Sequence, residues 1–201
     1  MIYSRKILAE VCPPVSPKLP KKWEALKIPK TVPDILRKNG ALMQGPEKRP
    51  STIKESHKMI KVLFVCHGNI CRSPMGEYVL KDMVKKAGVA DRFEIASAAV
   101  SREEIGEPVY PPARRELQKH GIDCRGHAAR QVTMEDYKYY DRIYYMDSSN
   151  LRWLKRLLPA DPEKIRPFLP RDVADPWYTG DFTATWNDIV EGCEAIMEEF
   201  A

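Results

Sequence analysis

The feature that most restricts this chain is one uninterrupted passage near its middle. Ile60, Val62, Leu63, Phe64 and Val65 form a short apolar run of the kind found in a sheet covered on both faces. It passes directly into Cys66-His67-Gly68-Asn69-Ile70-Cys71-Arg72-Ser73. Beyond that, Met75, Val79, Leu80, Met83, Val84 and Ala87 recur at helical spacing. Ser73 is the expected N-cap, Pro74 the first helical residue and Gly88 the stop. A buried strand, a tight loop and a helix therefore follow one another with no room for a hairpin.

The rest of the chain continues the alternation. Phe93 to Ser97 is an expected strand, and Pro112 to His120 an expected helix ended by Gly121. Asp141 to Met146 is a third strand and Ser149 to Leu158 a third long helix. Ile165 to Leu169 is a fourth strand, placed at the sheet edge because Pro167 lacks an amide donor. Trp186, Ile189, Val190, Cys193, Ile196, Met197 and Phe200 lie on one stripe of a final helix. Strand alternating with helix predicts an α/β fold, a parallel doubly wound sheet with helices on both faces. Such sheets bind ligands at the carboxyl ends of their strands, where strand order reverses.

Residues 1–58 are of another character. They hold 8 of the 17 prolines, and 13 Lys and Arg against 5 Asp and Glu, a net of +8. The remainder, 59–201, carries a net of −3. No apolar stripe in 1–58 is long enough to build a core, and the only helix-like piece is Val32 to Lys38. The expectation is a basic, proline-rich, largely disordered extension preceding one domain, 59–201. A second expectation concerns the start of the protein. Codons AAG-GAG for Lys54-Glu55 would spell a ribosome-binding sequence three codons before Met59, so 1–58 is read as a mis-called extension of a bacterial gene. A binding role for the tail, towards RNA or an acidic membrane surface, is the alternative.

No run of about 18 apolar residues occurs, and Arg5, Lys6 and Glu10 interrupt what would be a signal sequence. A cytoplasmic protein follows as the default. The five cysteines, Cys12, Cys66, Cys71, Cys124 and Cys193, are odd in number and widely spaced, which suits reduced thiols rather than a disulfide framework. None of their spacings suits zinc, so no metal is expected.

A loop between a strand and a helix start aims several backbone amides at one point, and the helix dipole adds positive potential there. Such a nest suits a phosphate dianion. Gly68 offers backbone freedom, and Arg72 can return a planar fork matched to phosphate oxygens. The same field favours the thiolate of Cys66, the form that acts as nucleophile. A prepared electrostatic cradle with a covalent intermediate is one route to phosphate-ester cleavage, which demands on the order of 20 kcal/mol of catalysis. The spacing Cys-x5-Arg is weak by itself, since about 0.4 matches arise by chance in such a composition. Cys124 to Arg130 also fits it, but follows no apolar strand and precedes no capping residue, so Cys124 is expected to be structural.

Val65-Cys66-His67-Gly68-Asn69-Ile70-Cys71-Arg72-Ser73-Pro74-Met75 closely resembles the signature of the low-molecular-weight protein tyrosine phosphatases. Further matches follow in the family's order at Ala129-Arg130-Gln131, Met146-Asp147-Ser148-Ser149-Asn150-Leu151 and Asp175-Pro176-Trp177-Tyr178. The resemblance implies a three-layer sandwich with a four-stranded parallel sheet, and no metal or organic cofactor. It implies hydrolysis of phosphotyrosine, in a protein or a small aryl phosphate, through a cysteinyl-phosphate. Cys66 would be the nucleophile, Arg72 the clamp on the transition state and Asp175 the acid, then base. The loop residues His67, Gly68, Asn69, Ile70, Cys71 and Arg72 would bind the phosphate. Ser73 would steady the thiolate, and Asn69 would hold the loop with help from Ser97 and His127. Trp177 and Tyr178 would flank a phenyl ring at the rim. Cys71 is either a small buried hydrophobe or, as the resemblance suggests, the partner of Cys66 in a reversible disulfide.

Two departures from the family pattern stand out. Ala96-Ser97-Ala98 replaces a more usual acidic residue and glycine, so loop support differs. Glu103 and Glu104, within Ser101 to Ile105, stand where an aromatic rim residue is common, which makes the rim acidic and unfavourable to acidic phosphopeptides. Ile70 favours an aryl substrate over phosphoarginine, for which a related enzyme resembles this loop with Thr at that position. An arsenate reductase would need a pair of resolving cysteines that the downstream chain lacks. A phosphate-binding regulatory module without turnover is the non-enzyme alternative, and nucleic acid and membrane are not expected partners.

Overall fold

The computed structural model describes residues 59–200. The extension 1–58, its expected helix at 32–38 and its start lie outside the described residues. Four strands, β1 (Ile60–Cys66), β2 (Phe93–Ala99), β3 (Arg142–Tyr145) and β4 (Ile165–Pro167), form one sheet in the order β2-β1-β3-β4. Every pairing is parallel. The chain leaves β1 to one side for β2 and to the other for β3, so the order reverses at β1. The carboxyl end of β1 is therefore where a ligand crevice is expected, and that end is Cys66.

Among the described residues six α-helices accompany the sheet: α1 (Arg72–Lys86), α2 (Pro111–Lys119), α3 (Met134–Tyr139), α4 (Ser148–Leu157), α5 (Pro176–Thr179) and α6 (Phe182–Glu199). Alternation along β1 sends side chains to both faces. Leu63 and Val65 join Ile143, Leu154 and Leu158 in one cluster beneath α4. On the opposite face the Phe64 ring meets Phe168 edge-on at 5.4 Å and stacks on Tyr144 at 6.0 Å. There α1, α2 and α6 pack against one another. Val62, Leu63, Phe64 and Val65 are wholly buried. Burial of that kind contributes about 1.5–3 kcal/mol per large apolar side chain, and it fixes the strand that presents Cys66. Gly76 admits the Phe64 ring against α1, since a Cβ there would lie 3.2 Å from it.

Element types match the sequence reading, while several boundaries move. β2 continues to Ala99, β3 is limited to Arg142–Tyr145, and β4 stops at Pro167 as an edge strand pairing only with β3. The expected cap is displaced: α1 begins at Arg72, with Cys71 at the N-cap position and no side-chain cap. Ser73 is thus inside the first turn, its hydroxyl turned towards Cys66 rather than back to the helix amides. Pro74 remains within the first turn, where no intrahelical amide bond is forfeited. Two short helices escaped the sequence reading. α3 is too brief for periodicity, although Thr133 and Asp136 form a reciprocal capping box that was visible as Thr-x-x-Asp. α5 is a single turn capped by Asp175.

Candidate active site

Cys66 ends β1 with its Sγ 3.0 Å from the Ser73 Oγ. That hydroxyl accepts from Asn69 Nδ2 (2.9 Å) and also lies 3.3 Å from the Ala98 carbonyl, so its single proton goes either to the Cys66 sulfur or to that carbonyl. The other Asn69 amide hydrogen goes to Ser97 Oγ (2.8 Å), which donates to Glu77 Oε2 (2.5 Å). Lys81 Nζ completes the chain at Glu77 Oε1 (2.5 Å). A line of hydrogen bonds thus links an exposed lysine through three buried side chains and Ser73 to the sulfur, with Glu77 accepting from both sides and Asn69 donating to both. In a low-dielectric interior such a line holds its members more rigidly than separate bonds would.

Asn69 is the hub. Its φ of +59° is the only positive value outside glycine among the described residues. Asn tolerates that region better than most residues. Here the strain is over-determined: Asn69 Oδ1 accepts from Arg130 N (3.2 Å), and the Asn69 carbonyl accepts from His127 Nε2 (2.7 Å). The strand register brings Ser97 level with Phe64, and the bridge Ala99–Gln131 carries 127–130 alongside. Ser97 and His127, both expected as supports, are therefore in place beside Asn69. Gly68 corrects the sequence reading, since its φ is not positive and the unusual backbone belongs to Asn69. What Gly68 supplies is space, because a Cβ there would stand 3.1 Å from Glu104 Cγ.

Arg72 is almost fully buried at the start of α1. Its Nη1 donates to Asp147 Oδ2 at 2.5 Å, and its Nη2 lies 2.5 Å from Asp175 Oδ2. Burial works against the guanidinium charge, but Cys66, Asp175 and Asp147 outweigh it and hold its pKa above the ordinary arginine value. Asp147 also caps α4 through Oδ1, and Asp175 caps α5 by accepting from Trp177 N. Helix caps thus orient both carboxylates that grip the arginine.

A cleft of about 210 Å³ opens over this group. Its walls include Cys66, Ile70, Arg72, Asp175 and, at the mouth, Trp177 and Tyr178. The two aromatics are 58% and 85% exposed, so they stand at the rim and not in the core. Glu103 and Glu104 border the same cleft, and His67 Nε2 donates to Glu103 Oε2 at 3.0 Å. Cys71 is buried in the loop and borders the cleft. Burial, then the neighbouring Cys66 and Asp175, push its thiol well above the ordinary cysteine range. Cys124 is buried outside any strand-to-helix junction, in keeping with a structural thiol. Among the described residues no group of three or more His, Cys, Asp or Glu is arranged to hold a metal ion.

Three members of this arrangement were not assigned from sequence. Glu77 gives no local signal, because its link to Ser97 depends on sheet register. Asp147 lay within a recognised motif but carried no role, and its arginine is 75 residues away. Tyr110 braces the loop by donating its amide to the Ile70 carbonyl (2.8 Å).

Comparison with known proteins agrees with this geometry. The family model for low molecular weight phosphotyrosine protein phosphatase matches residues 61–201. The low molecular weight protein-tyrosine-phosphatase YfkJ of Bacillus subtilis is 36% identical over 147 residues, covering 69% of this chain and 94% of the relative. The rat low molecular weight phosphotyrosine protein phosphatase is 38% identical over 149 residues, with the same coverage of both chains. The crystal structure of YfkJ superposes with a TM-score of 0.68 over 71% of this chain and 94% of that one, at 35% identity. A Drosophila arginine phosphatase structure gives 0.63 over 70% and 98%, at 31% identity. A protein-tyrosine-phosphatase fold is thereby defined. The chain belongs to the low-molecular-weight phosphotyrosine protein phosphatase family.

Proposed function

We propose that the protein hydrolyses phosphotyrosine, in proteins or as a small aryl phosphate, with Cys66, Arg72 and Asp175 as the reacting groups. The observation that carries this is the convergence of the Cys66 thiol, the doubly held Arg72 and the Asp175 carboxylate on one narrow cleft. The Cys66 sulfur attacks phosphorus in line with the ester oxygen. The S–P bond forms as the P–O bond to the aryl group breaks, and Asp175 gives its proton to the departing phenolate. Arg72 and the loop amides of 67–72 receive the equatorial oxygens, which carry the developing charge. In the second step Asp175 takes a proton from water, the water oxygen bonds to phosphorus, and the thiolate leaves with release of phosphate. Ile70, buried at the cleft wall, supports an aryl group over a guanidino group.

Residues 59–201 are the proposed catalytic domain, and the family match over 61–201 supports that boundary. A reducing compartment such as the cytoplasm suits a reaction that needs Cys66 as a thiolate, and all four cysteines among the described residues are free. Cys71 is proposed to guard the nucleophile. Peroxide oxidises Cys66 to a sulfenic acid and is reduced to water or alcohol; the Cys71 thiol then attacks that sulfur, its proton leaving with the displaced hydroxide as water, and two equivalents of a cellular thiol reduce the resulting disulfide.

The test is phosphate release by the full-length protein from a phosphotyrosine peptide and a phosphoarginine peptide, with Cys66→Ser as control. Faster phosphotyrosine turnover, abolished by the substitution, is the expected result. Faster phosphoarginine turnover would overturn the substrate assignment, and no turnover of either would overturn the reaction.

A further inference from the structure

We propose that His67 is a specificity-determining residue: by gaining or losing a proton beside Glu103 it sets the negative charge of one wall of the cleft, and with it the preference for cationic residues flanking the phosphorylated tyrosine. This inference rests on the phosphotyrosine reading above.

His67 follows the nucleophile directly, and two contacts tie it to the segment after β2. Its carbonyl accepts from the Ser101 amide at 3.0 Å, one step along from the bond of the Val100 amide to the Cys66 carbonyl at 2.9 Å. Its ring Nε2 reaches Glu103 Oε2 at 3.0 Å. From α4 the Trp153 ring meets the imidazole edge-on at 6.4 Å, and Arg156 lies over that indole at 5.2 Å. Cys66, Arg72, Glu104 and Asp175 border the same cleft as His67. The His67 side chain is 45% exposed, so its ring takes up and releases protons without any opening of the fold.

The cleft's charges are unequal. Three carboxylates line it, Asp175, Glu103 and Glu104, against one permanent cation, Arg72. That cation is already held by Asp147 and Asp175. Arg102, exposed beside the two glutamates, does not border the cleft. The wall formed by Glu103 and Glu104 therefore carries two formal negative charges when the imidazole is neutral, and a protonated imidazole offsets one of them. Nε2 can donate to Glu103 in both forms, since the Nδ1 hydrogen is the one given up. The wall thus keeps its shape while its charge changes. A lysine or arginine beside the phosphotyrosine gains most from this wall when His67 is neutral. Charge complementarity of this kind governs partner choice more than raw affinity. The repulsion of acidic phosphopeptides expected from Glu103 and Glu104 is graded by the same proton.

The experiment measures kcat/KM of the full-length protein for two phosphotyrosine peptides that differ only in their flanks, Lys pairs on both sides in one and Gln pairs in the other. The range is about pH 5 to 8, where histidine side chains ordinarily change charge. The quantity read is the ratio of the Lys to the Gln peptide within each protein. Ionisation of Cys66, Asp175 and the shared phosphate cancels in that ratio, as does any change in overall turnover caused by a substitution. In wild type the ratio is expected to rise about two- to fivefold with pH, the scale of one solvent-exposed charge contact, and the rise should shrink in about 0.5 M salt. In His67→Gln, whose amide still donates to Glu103 but carries no charge, the ratio should stay near its high-pH value throughout. Glu103→Gln should lower the ratio at the alkaline end by about two- to fivefold. Normal turnover of both peptides with a wild-type ratio that ignores pH would overturn the inference alone. So would a rise that survives in His67→Gln, or a ratio in Glu103→Gln equal to that of wild type. Failure of wild type on both peptides would sink the phosphotyrosine reading and this inference together.

Discussion

Asp147 Oδ2 lies 2.5 Å from Nη1 of Arg72, and neither side chain has much contact with water. Unlike Asp175, Asp147 has no proposed part in proton transfer, so its place is to hold the guanidinium plane. Asp147→Asn keeps an oxygen to cap α4 and removes the charge. The expected outcome is a 10- to 100-fold loss of kcat on aryl phosphates, the scale for a misplaced catalytic group. Thermal unfolding of the same variant should shift downward, because the cap persists but the buried guanidinium loses an ion-pair partner.

Asp175→Asn separates proton donation from positioning. The amide still caps α5 but cannot protonate a leaving group. With phenyl phosphate, kcat is expected to fall by about 10²–10⁴. With para-nitrophenyl phosphate, whose leaving group needs little help, the loss of cysteine phosphorylation should be much smaller. A burst of nitrophenol measured by stopped flow distinguishes the two steps, and equal losses on both substrates would contradict the acid role.

Gly192 makes a prediction about packing. A Cβ there would fall 2.3 Å from the Phe168 ring, so α6 approaches the sheet only because this residue lacks a side chain. Gly192→Ala should destabilise by about 1–3 kcal/mol or more through overpacking, read as a lower urea midpoint. Adding Phe168→Leu should recover part of the loss, since the two residues share one contact.

Asp136 predicts a pH effect. Burial opposes its charged form, but the Arg130 hydrogen bond and the Thr133 amide and hydroxyl outweigh that and hold its carboxyl below the ordinary value. A depressed folded pKa adds stability that is complete above the unfolded value, about 3.9, and is lost as pH falls through the lower folded value. Asp136→Asn should therefore cost about 1 kcal/mol near neutrality. The gap from wild type should close as pH drops below about 4, in urea unfolding followed across that range.

Much of the site was legible because its chemistry is carried by one contiguous segment. A wholly apolar strand, a loop rich in small and polar residues and a helical stripe fix where Cys66, Asn69 and Arg72 must be. Ser73 was legible in two competing ways: local chemistry favours it as a cap, the family resemblance assigns it to the thiolate, and the fold places its hydroxyl 3.0 Å from the Cys66 sulfur. Glu77 and Asp147 act across the sheet, through register and crossover, and no local pattern reports such contacts. The short α3 fell below the length at which periodicity speaks, although its capping pair was in plain view. Gly68 was misjudged because loop glycines are first suspected of unusual dihedrals, whereas this one makes way for Glu104.

The placement of Cys66 at the end of a strand buried on both faces has a consequence for motion. To displace the sulfur the molecule must open its central layer, an event as rare as global unfolding. Tyr178, 85% exposed on a single short turn at the mouth, can move at almost no cost to that layer. Slow and fast clocks therefore sit within one small cleft: the attacking atom keeps time with the whole domain, and the gate through which substrate arrives keeps its own.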